Sequence, residues 1–180
     1  MSLVQTMVQS LHHDRPYRTA DAFAALYETT YPSIWRYIYM LHGGSAMDTE
    51  DLVADTFLRA WKYRHSFKGS LDNAVGWLIT IARHVVFAQH RRVKPTPASV
   101  AELQAVKTTE QLVLEHEQTR ALMALLQCLS PSDRELLILR YGMGWSITSI
   151  AQHCKKSPNT VSVAVKRALE RARITATTQL

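Results

Sequence analysis

Three helix-start signals crowd into the stretch from Leu129 to Arg173, and they fix more of the fold than any other part of the chain. Ser130 precedes Pro131 and Asp133, which supplies an N-cap hydroxyl, a proline where its missing N–H is harmless, and a carboxylate in the first turn. Ser157 and Pro158 repeat the first two features, and Ser146, just after the glycines at 142 and 144, offers a third cap. Helices this short must share one small core. Leu136, Leu137, Leu139 and Tyr141, then Ile147, Ile150 and Ala151, then Val161, Val165, Ala168 and Leu169 have the spacing to build it. Asn159, Ser162, Val163, Lys166, Arg167, Arg171 and Arg173 are left around the rest of the last helix.

A helix of about eight residues, a short turn and a longer basic helix is the helix-turn-helix pattern, whose second helix enters the DNA major groove. The groove admits one helix, small side chains let its start approach base edges, and cations further along meet phosphates. A bundle whose basic face is merely solvated fits the same spacing.

With 180 residues the chain has room for one ordinary domain or two small ones. The net charge of +6 suits a polyanionic partner, and its distribution says more than its sum. Lys and Arg outnumber Asp and Glu ten to seven over residues 17–94 and eight to three over 128–180, whereas over 95–127 they are outnumbered two to four. Two basic ends flank an acidic middle. Cys128 and Cys154 form no CxxC and the eight histidines, including His12 and His13, show no ligand spacing, so neither a metal nor another cofactor is expected. The opening residues lack a basic-then-apolar signal and no apolar run reaches the length of a membrane span, so a cytoplasmic protein without membrane insertion is expected.

Residues 1–18 read as a weakly docked arm. From Thr19, the residues Phe23, Leu26, Tyr27, Ile34, Trp35, Ile38 and Leu41 form the stripe of a helix bent at Pro32 and stopped by Gly43 and Gly44. Asp48 reads as the cap of a second helix with the stripe Leu52, Val53, Thr56, Phe57, Ala60 and Trp61; Asp51, Asp55 and Arg59 form a polar ridge on its other face. A turn follows at Phe67–Ser70. Asp72 or Asn73 then caps a third helix, with Trp77, Leu78, Ile81, Val85 and Val86 inward and Arg83, His84, Gln89, His90, Arg91 and Arg92 gathered toward its end. An exposed Phe67 in a basic turn, close to Trp77, is the aromatic and cationic mixture that grips single-stranded nucleic acid. Pro95 and Pro97 open a linker over 95–111, and a helix from about Leu112 to Leu129 leads into the second domain. The fold class expected is all-α, two small helical domains joined by a linker. No catalytic constellation is present in the sequence, and the chain is read as a non-enzyme.

The stretches "DTEDLVADTFLRAW" and "GWLITIARH", followed by the helix-turn-helix, resemble the sigma-70 family of bacterial RNA polymerase initiation factors, most of all its compact extracytoplasmic-function group. The resemblance covers about Thr19 to Arg92 and Leu125 to Arg173. It implies that residues 19–94 are sigma region 2 and 112–180 region 4. Region 2 would dock on the clamp helices of the polymerase beta-prime subunit through Asp51, Leu52, Asp55 and Arg59. It would read the minus-10 element on the non-template strand through Phe67, Lys68, Asn73, Trp77, Arg83, His84, Arg91 and Arg92. Region 4 would read the minus-35 element through Asn159, Thr160, Ser162, Val163, Lys166 and Arg167, and would meet the beta flap. The partners implied are core RNA polymerase and promoter DNA, with an anti-sigma protein as a further candidate. Against the family's pattern, Ala54 replaces a common glutamine, Gly76 a common threonine, and Lys155 and Lys156 a glycine and an apolar residue. The alternative is a stand-alone helix-turn-helix regulator that binds an operator without polymerase; a protein-binding adaptor bundle is a third reading.

Overall fold

The computed structural model describes residues 17, 19–43, 46–69, 71–92 and 110–178. It divides into two compact units, Met1–Ile38 with Met47–Lys94 and Tyr39–Ala46 with Pro95–Leu180. The described residues are helical throughout, joined by turns. The arm at 1–18 and the linker at 95–111 fall almost entirely outside them.

The first unit is built on α1 (Ala20–His42) as far as Ile38, α2 (Ala46–Tyr63) and α3 (Leu71–Arg92), with a 3-10 turn at Arg64–Ser66; the last residues of α1, from Tyr39, belong to the second unit. The α1 helix runs through Pro32, and Gly43 ends it at φ +69°. Ile34, Tyr37 and Ile38 of α1 are fully buried, as are Val53 and Ala60 of α2 and Leu78, Ile79, Ala82 and Val86 of α3. Aromatic rings join the layers: Phe23 meets Trp61 edge-on at 5.1 Å, and Tyr27 meets Phe57 at 4.6 Å. Two helix starts differ from the sequence reading. The α2 helix begins at Ala46, so Asp48 sits in its first turn as a dipole partner rather than as its cap. Likewise α3 begins at Leu71, which places Asp72 and Asn73 inside the helix. Tyr27, expected in the core, is 41% exposed because it lies at the rim, beside Tyr31.

The second unit holds α4 (Glu110–Cys128), α5 (Pro131–Leu137), a π turn (Ile138–Gly142), α6 (Ile147–Cys154) and α7 (Pro158–Thr178). All three serine caps form. Ser130 accepts from the Asp133 N–H at 3.2 Å, Ser146 from Ser149 at 3.0 Å and Ser157 from Thr160 at 3.2 Å. Both α5 and α6 pack on α7, and Leu137, Ile138, Leu139, Ile150, Ala151, Val161, Val165 and Ala168 are buried there. Tyr141 is not: it is 60% exposed. The wider π turn changes the angular step per residue, so Ile138 and Leu139 face inward and Tyr141 swings out.

Two side-chain arrangements hold this unit. Arg134, 7% exposed, donates from Nε to the Leu126 carbonyl at 2.8 Å, from Nη1 to Leu41 at 3.0 Å, and from Nη2 to Gln127 at 2.9 Å and Leu129 at 3.4 Å. It thereby gathers carbonyls at the end of α4, where Leu126 also accepts from the Leu129 N–H at 3.2 Å, and ties them to the last turn of α1. Asp133, in the first turn of α5, is held by Arg171 of α7 in a bidentate pair at 2.8 and 2.9 Å. That pairing keeps the Asp133 carboxyl below the usual carboxylate range against the opposing effect of burial, with Ser130 assisting.

Candidate functional site

The α6–α7 turn is a Schellman motif without its glycine. Lys156 N–H reaches the Ala151 carbonyl at 2.9 Å and Lys155 N–H reaches Gln152 at 3.2 Å, with Lys155 left-handed at φ 53°, ψ 45°. This turn delivers the start of α7 with Asn159, Thr160, Lys166 and Arg167 exposed, Val163 41% exposed and Ser162 partly covered. Helical spacing places Asn159, Val163, Lys166, Arg167, Glu170 and Ile174 along one outer face, opposite the buried Val161, Val165 and Ala168. Ile174, 59% exposed, extends this face beyond the residues read from the sequence. The face is one helix wide, small at its start and cationic in its middle, which suits a major groove.

A second face runs along α3. Asn73, Trp77, His84 and Arg91 recur at offsets of 4, 7 and 7, close to whole numbers of helical turns, so they share one side, opposite the buried Ala74, Leu78, Ala82 and Val86. Thr80 lies on the same stripe, exposed and bonded back to the Gly76 carbonyl at 3.0 Å; the sequence reading had omitted it, though the spacing alone points to it. Arg83 flanks the stripe, 5.7 Å from the Phe87 ring. Arg92 closes the helix.

The turn before α3 corrects one expectation. Phe67 is only 7% exposed, packed between Tyr17 at 5.7 Å and Trp77 at 4.8 Å. Its ring folds over Gly69, where an added Cβ would lie 2.7 Å from Phe67 Cζ. Phe67 is thus the floor of the turn, while Lys68 and Asn73 are exposed above it.

On α2 a third face appears. Leu52 was read as a docking residue, but it is 6% exposed and belongs to the core. Met47, at 76%, and Leu58, at 68%, form an outward stripe with the exposed Asp51 and Ala54. At its edge, Asp55 accepts from Arg59 Nε at 3.1 Å and Nη2 at 2.9 Å, a half-exposed pair within the helix. Two large apolar side chains thus share one solvent-facing stripe with a carboxylate. They escaped the sequence reading because they lie off the core stripe. Among the described residues no group of His, Cys, Asp and Glu could hold a metal ion, and no helix is long and apolar enough to cross a membrane.

Known proteins carry the same two-part organisation. The family model for Sigma-70 region 2 matches residues 26–96, and that for Sigma-70 region 4 matches 119–171. The ECF RNA polymerase sigma factor SigL of Mycobacterium tuberculosis is 30% identical over 160 residues, 87% of this chain and 89% of SigL. The ECF RNA polymerase sigma factor BldN of Streptomyces coelicolor is 33% identical over 155 residues, 83% of this chain but only 58% of BldN. Among solved structures, the sigma factor RpoE of Bartonella quintana, in complex with its anti-sigma factor NepR, matches with a TM-score of 0.64 at 25% identity, over 85% of this chain and 95% of that one. With both regions matched in order and a relative aligned over nearly its whole length, the chain belongs to the sigma-70 family, as an RNA polymerase sigma factor of the ECF type.

Proposed function

We propose that this chain directs promoter-specific initiation by docking on core RNA polymerase and reading two promoter elements, one with each unit. The observation that carries the reading is the coexistence of three distinct solvent faces, one apolar and acidic on α2 and two polar to cationic on α3 and α7. On α2, Met47, Asp51, Ala54 and Leu58 meet the beta-prime clamp helices, with the Asp55–Arg59 pair at the margin. The α3 stripe Asn73, Trp77, Thr80, His84 and Arg91, with Lys68, Arg83 and Arg92 beside it, takes the minus-10 segment as a displaced strand. The start of α7 reads the minus-35 duplex through Asn159, Thr160, Ser162, Val163, Lys166 and Arg167, and the same unit meets the beta flap. Arg167 is the residue placed for bidentate reading of a guanine, and Val163 offers apolar contact to a thymine methyl. Residues 19–94 act as region 2 and 112–180 as region 4, joined through the linker.

The polymerase performs the chemistry and this cytoplasmic chain positions it. That RpoE of Bartonella quintana is held by NepR supports an anti-sigma protein as a further partner here.

The test is capture of bacterial core RNA polymerase by the purified chain, then transcription by that complex from a promoter library. Selective initiation is expected. Leu58→Glu, which places a charge on an exposed site and leaves helical circular dichroism unchanged, should weaken capture at least tenfold, the equivalent of about 1.4 kcal/mol. Capture unaffected by Leu58→Glu and by Asp51→Arg removes the α2 face from the reading. Tight operator binding with no polymerase association makes the chain a stand-alone regulator instead.

A further inference from the structure

Burial of Phe67 leaves the minus-10 turn without the exposed ring that its sequence promised. Trp61, toward the end of α2, is covered by the Arg64 guanidinium, 3.6 Å from the ring centroid. Trp77 is half-covered, with Phe67 against it. Tyr63 is different: it is 53% exposed, and the Lys62 ammonium lies 5.8 Å from its ring. Its position explains the exposure. Leu52, Thr56 and Ala60 are buried and spaced by four, and Tyr63 continues that row. It therefore points to the side of α2 that packs within the unit, but it stands at the last residue of the helix, past the covered layer and just ahead of the turn. It is well round the helix from the Met47–Leu58 stripe, so the docking face does not account for it.

The surroundings have the chemistry of a single-strand grip. Lys62 and Lys68 are exposed on either side in sequence, and His65 is exposed between them. The Ser66 hydroxyl donates to the Tyr63 carbonyl at 2.7 Å, and Arg64 donates from Nη1 to the Trp61 carbonyl at 2.7 Å, so the backbone beneath the ring is fixed. An exposed aromatic ring on a fixed backbone, with one ammonium over it and a second exposed lysine five residues on, can stack one base and hold the flanking phosphates.

We propose that Tyr63 is a stacking platform for an unstacked base of the displaced promoter strand, with Lys62 and Lys68 on the adjoining phosphates. This rests on the reading of α3 and its turn as the minus-10 site, and it adds to that site a residue at the end of α2. The contact is to the face of the base, so it contributes affinity for single strand and little base discrimination.

The experiment uses holoenzyme assembled from the full chain and core polymerase. The probe is a single-stranded oligonucleotide carrying the minus-10 segment of a promoter that the wild-type holoenzyme selects, with 2-aminopurine substituted at each position in turn. One position should show quenching that depends on Tyr63. Tyr63→Ala should weaken single-strand binding about 5- to 150-fold, the range of a single stacked base. Tyr63→Phe should stay within about twofold of wild type, since the ring and not the hydroxyl carries the contact. Affinity for core and for minus-35 duplex should not move. The proposal is overturned if Tyr63→Ala binds the single strand as wild type does, or if Tyr63→Phe loses as much as Tyr63→Ala. Loss of core affinity in Tyr63→Ala would make the ring a protein contact and overturn it equally. A wild-type holoenzyme that selects no promoter sinks the minus-10 reading and this inference together, whereas normal selection with an indifferent Tyr63→Ala sinks this inference alone.

Discussion

Replacing Arg134 by methionine should loosen the second unit while leaving the first intact. Methionine keeps an unbranched stem of similar length, so packing around the aliphatic part survives. What disappears is a charged donor with four carbonyl acceptors, three at good distances, Leu126 at 2.8, Gln127 at 2.9 and Leu41 near the end of α1 at 3.0 Å, and Leu129 stretched to 3.4 Å. Hydrogen bonds from a charged group contribute about 1.5–3 kcal/mol each, so the three short ones bring roughly 5–9 kcal/mol. Against this stands the cost of burying the guanidinium, which shows as a pKa lowered by desolvation. A buried ion replaced by a well-packed apolar side chain is often a neutral exchange, but only when no polar group is left behind. Here carbonyls are left behind, and a net loss of about 2–4 kcal/mol is expected. Hydrogen exchange read by mass spectrometry on the full chain separates the units: amides of α4 to α7 should exchange about 30- to 1,000-fold faster. Amides in the middle of α2 and α3 should keep their rates. Arg134→Lys should fall between, because a point charge cannot serve several carbonyls at once. A methionine variant whose α4–α7 exchange is within about fivefold of wild type, equivalent to about 1 kcal/mol, would refute the shared-donor role.

Three further outcomes follow from local geometry. Lys155→Gly should stabilise the second unit by about 0.5–1 kcal/mol, since a left-handed non-glycine residue costs about 1–2 kcal/mol and glycine's extra unfolded-state entropy returns part of it; Lys155→Ala, which keeps the penalty, should gain nothing in thermal denaturation. The Asp133 carboxyl titrates below its unfolded value, so its contribution is present above about pH 4 and drains away as pH falls through the lower folded value. Asp133→Asn should therefore lower stability at neutral pH and flatten its decline below about pH 4, as followed by denaturant melts across pH. Gly69→Ala forces a methyl into the space of the Phe67 ring and should shift the fluorescence of the adjoining Trp77 and weaken minus-10 selection, with core affinity unchanged.

Features encoded within a few residues were legible in advance. Each serine cap at 130, 146 and 157 is a bond across three residues, and the core stripes of α2, α3 and α7 follow from helical spacing. Features that depend on distant partners were not. Phe67 looked exposed because nothing near it in sequence announces that Tyr17 lies against it. Tyr141 fitted the α-helical period, and only the π turn took it out of register. Leu52 showed the motif position of a docking residue, while the packing of α2 buries it and leaves Met47 and Leu58 on the outer face. The acceptors of Arg134 and the partner of Asp133, 38 residues away, carry no periodic signal at all.

That last pair has a mechanical meaning. The reading end of α7 begins near Asn159, whereas the tie to α5 is made at Arg171, twelve residues along the same rigid rod, or about 18 Å at 1.5 Å per residue. The helix is a pointer seated on α5 and α6 along its inner face and keyed to α5 by an ion pair toward its rear. A pivot of about 3° at the fastening carries the tip by about 1 Å, enough to misalign a hydrogen bond with a base edge. If α7 reads the minus-35 duplex as proposed, its preference can be retuned from the Asp133 carboxylate on α5, and substitutions there should alter which bases are favoured before they abolish binding.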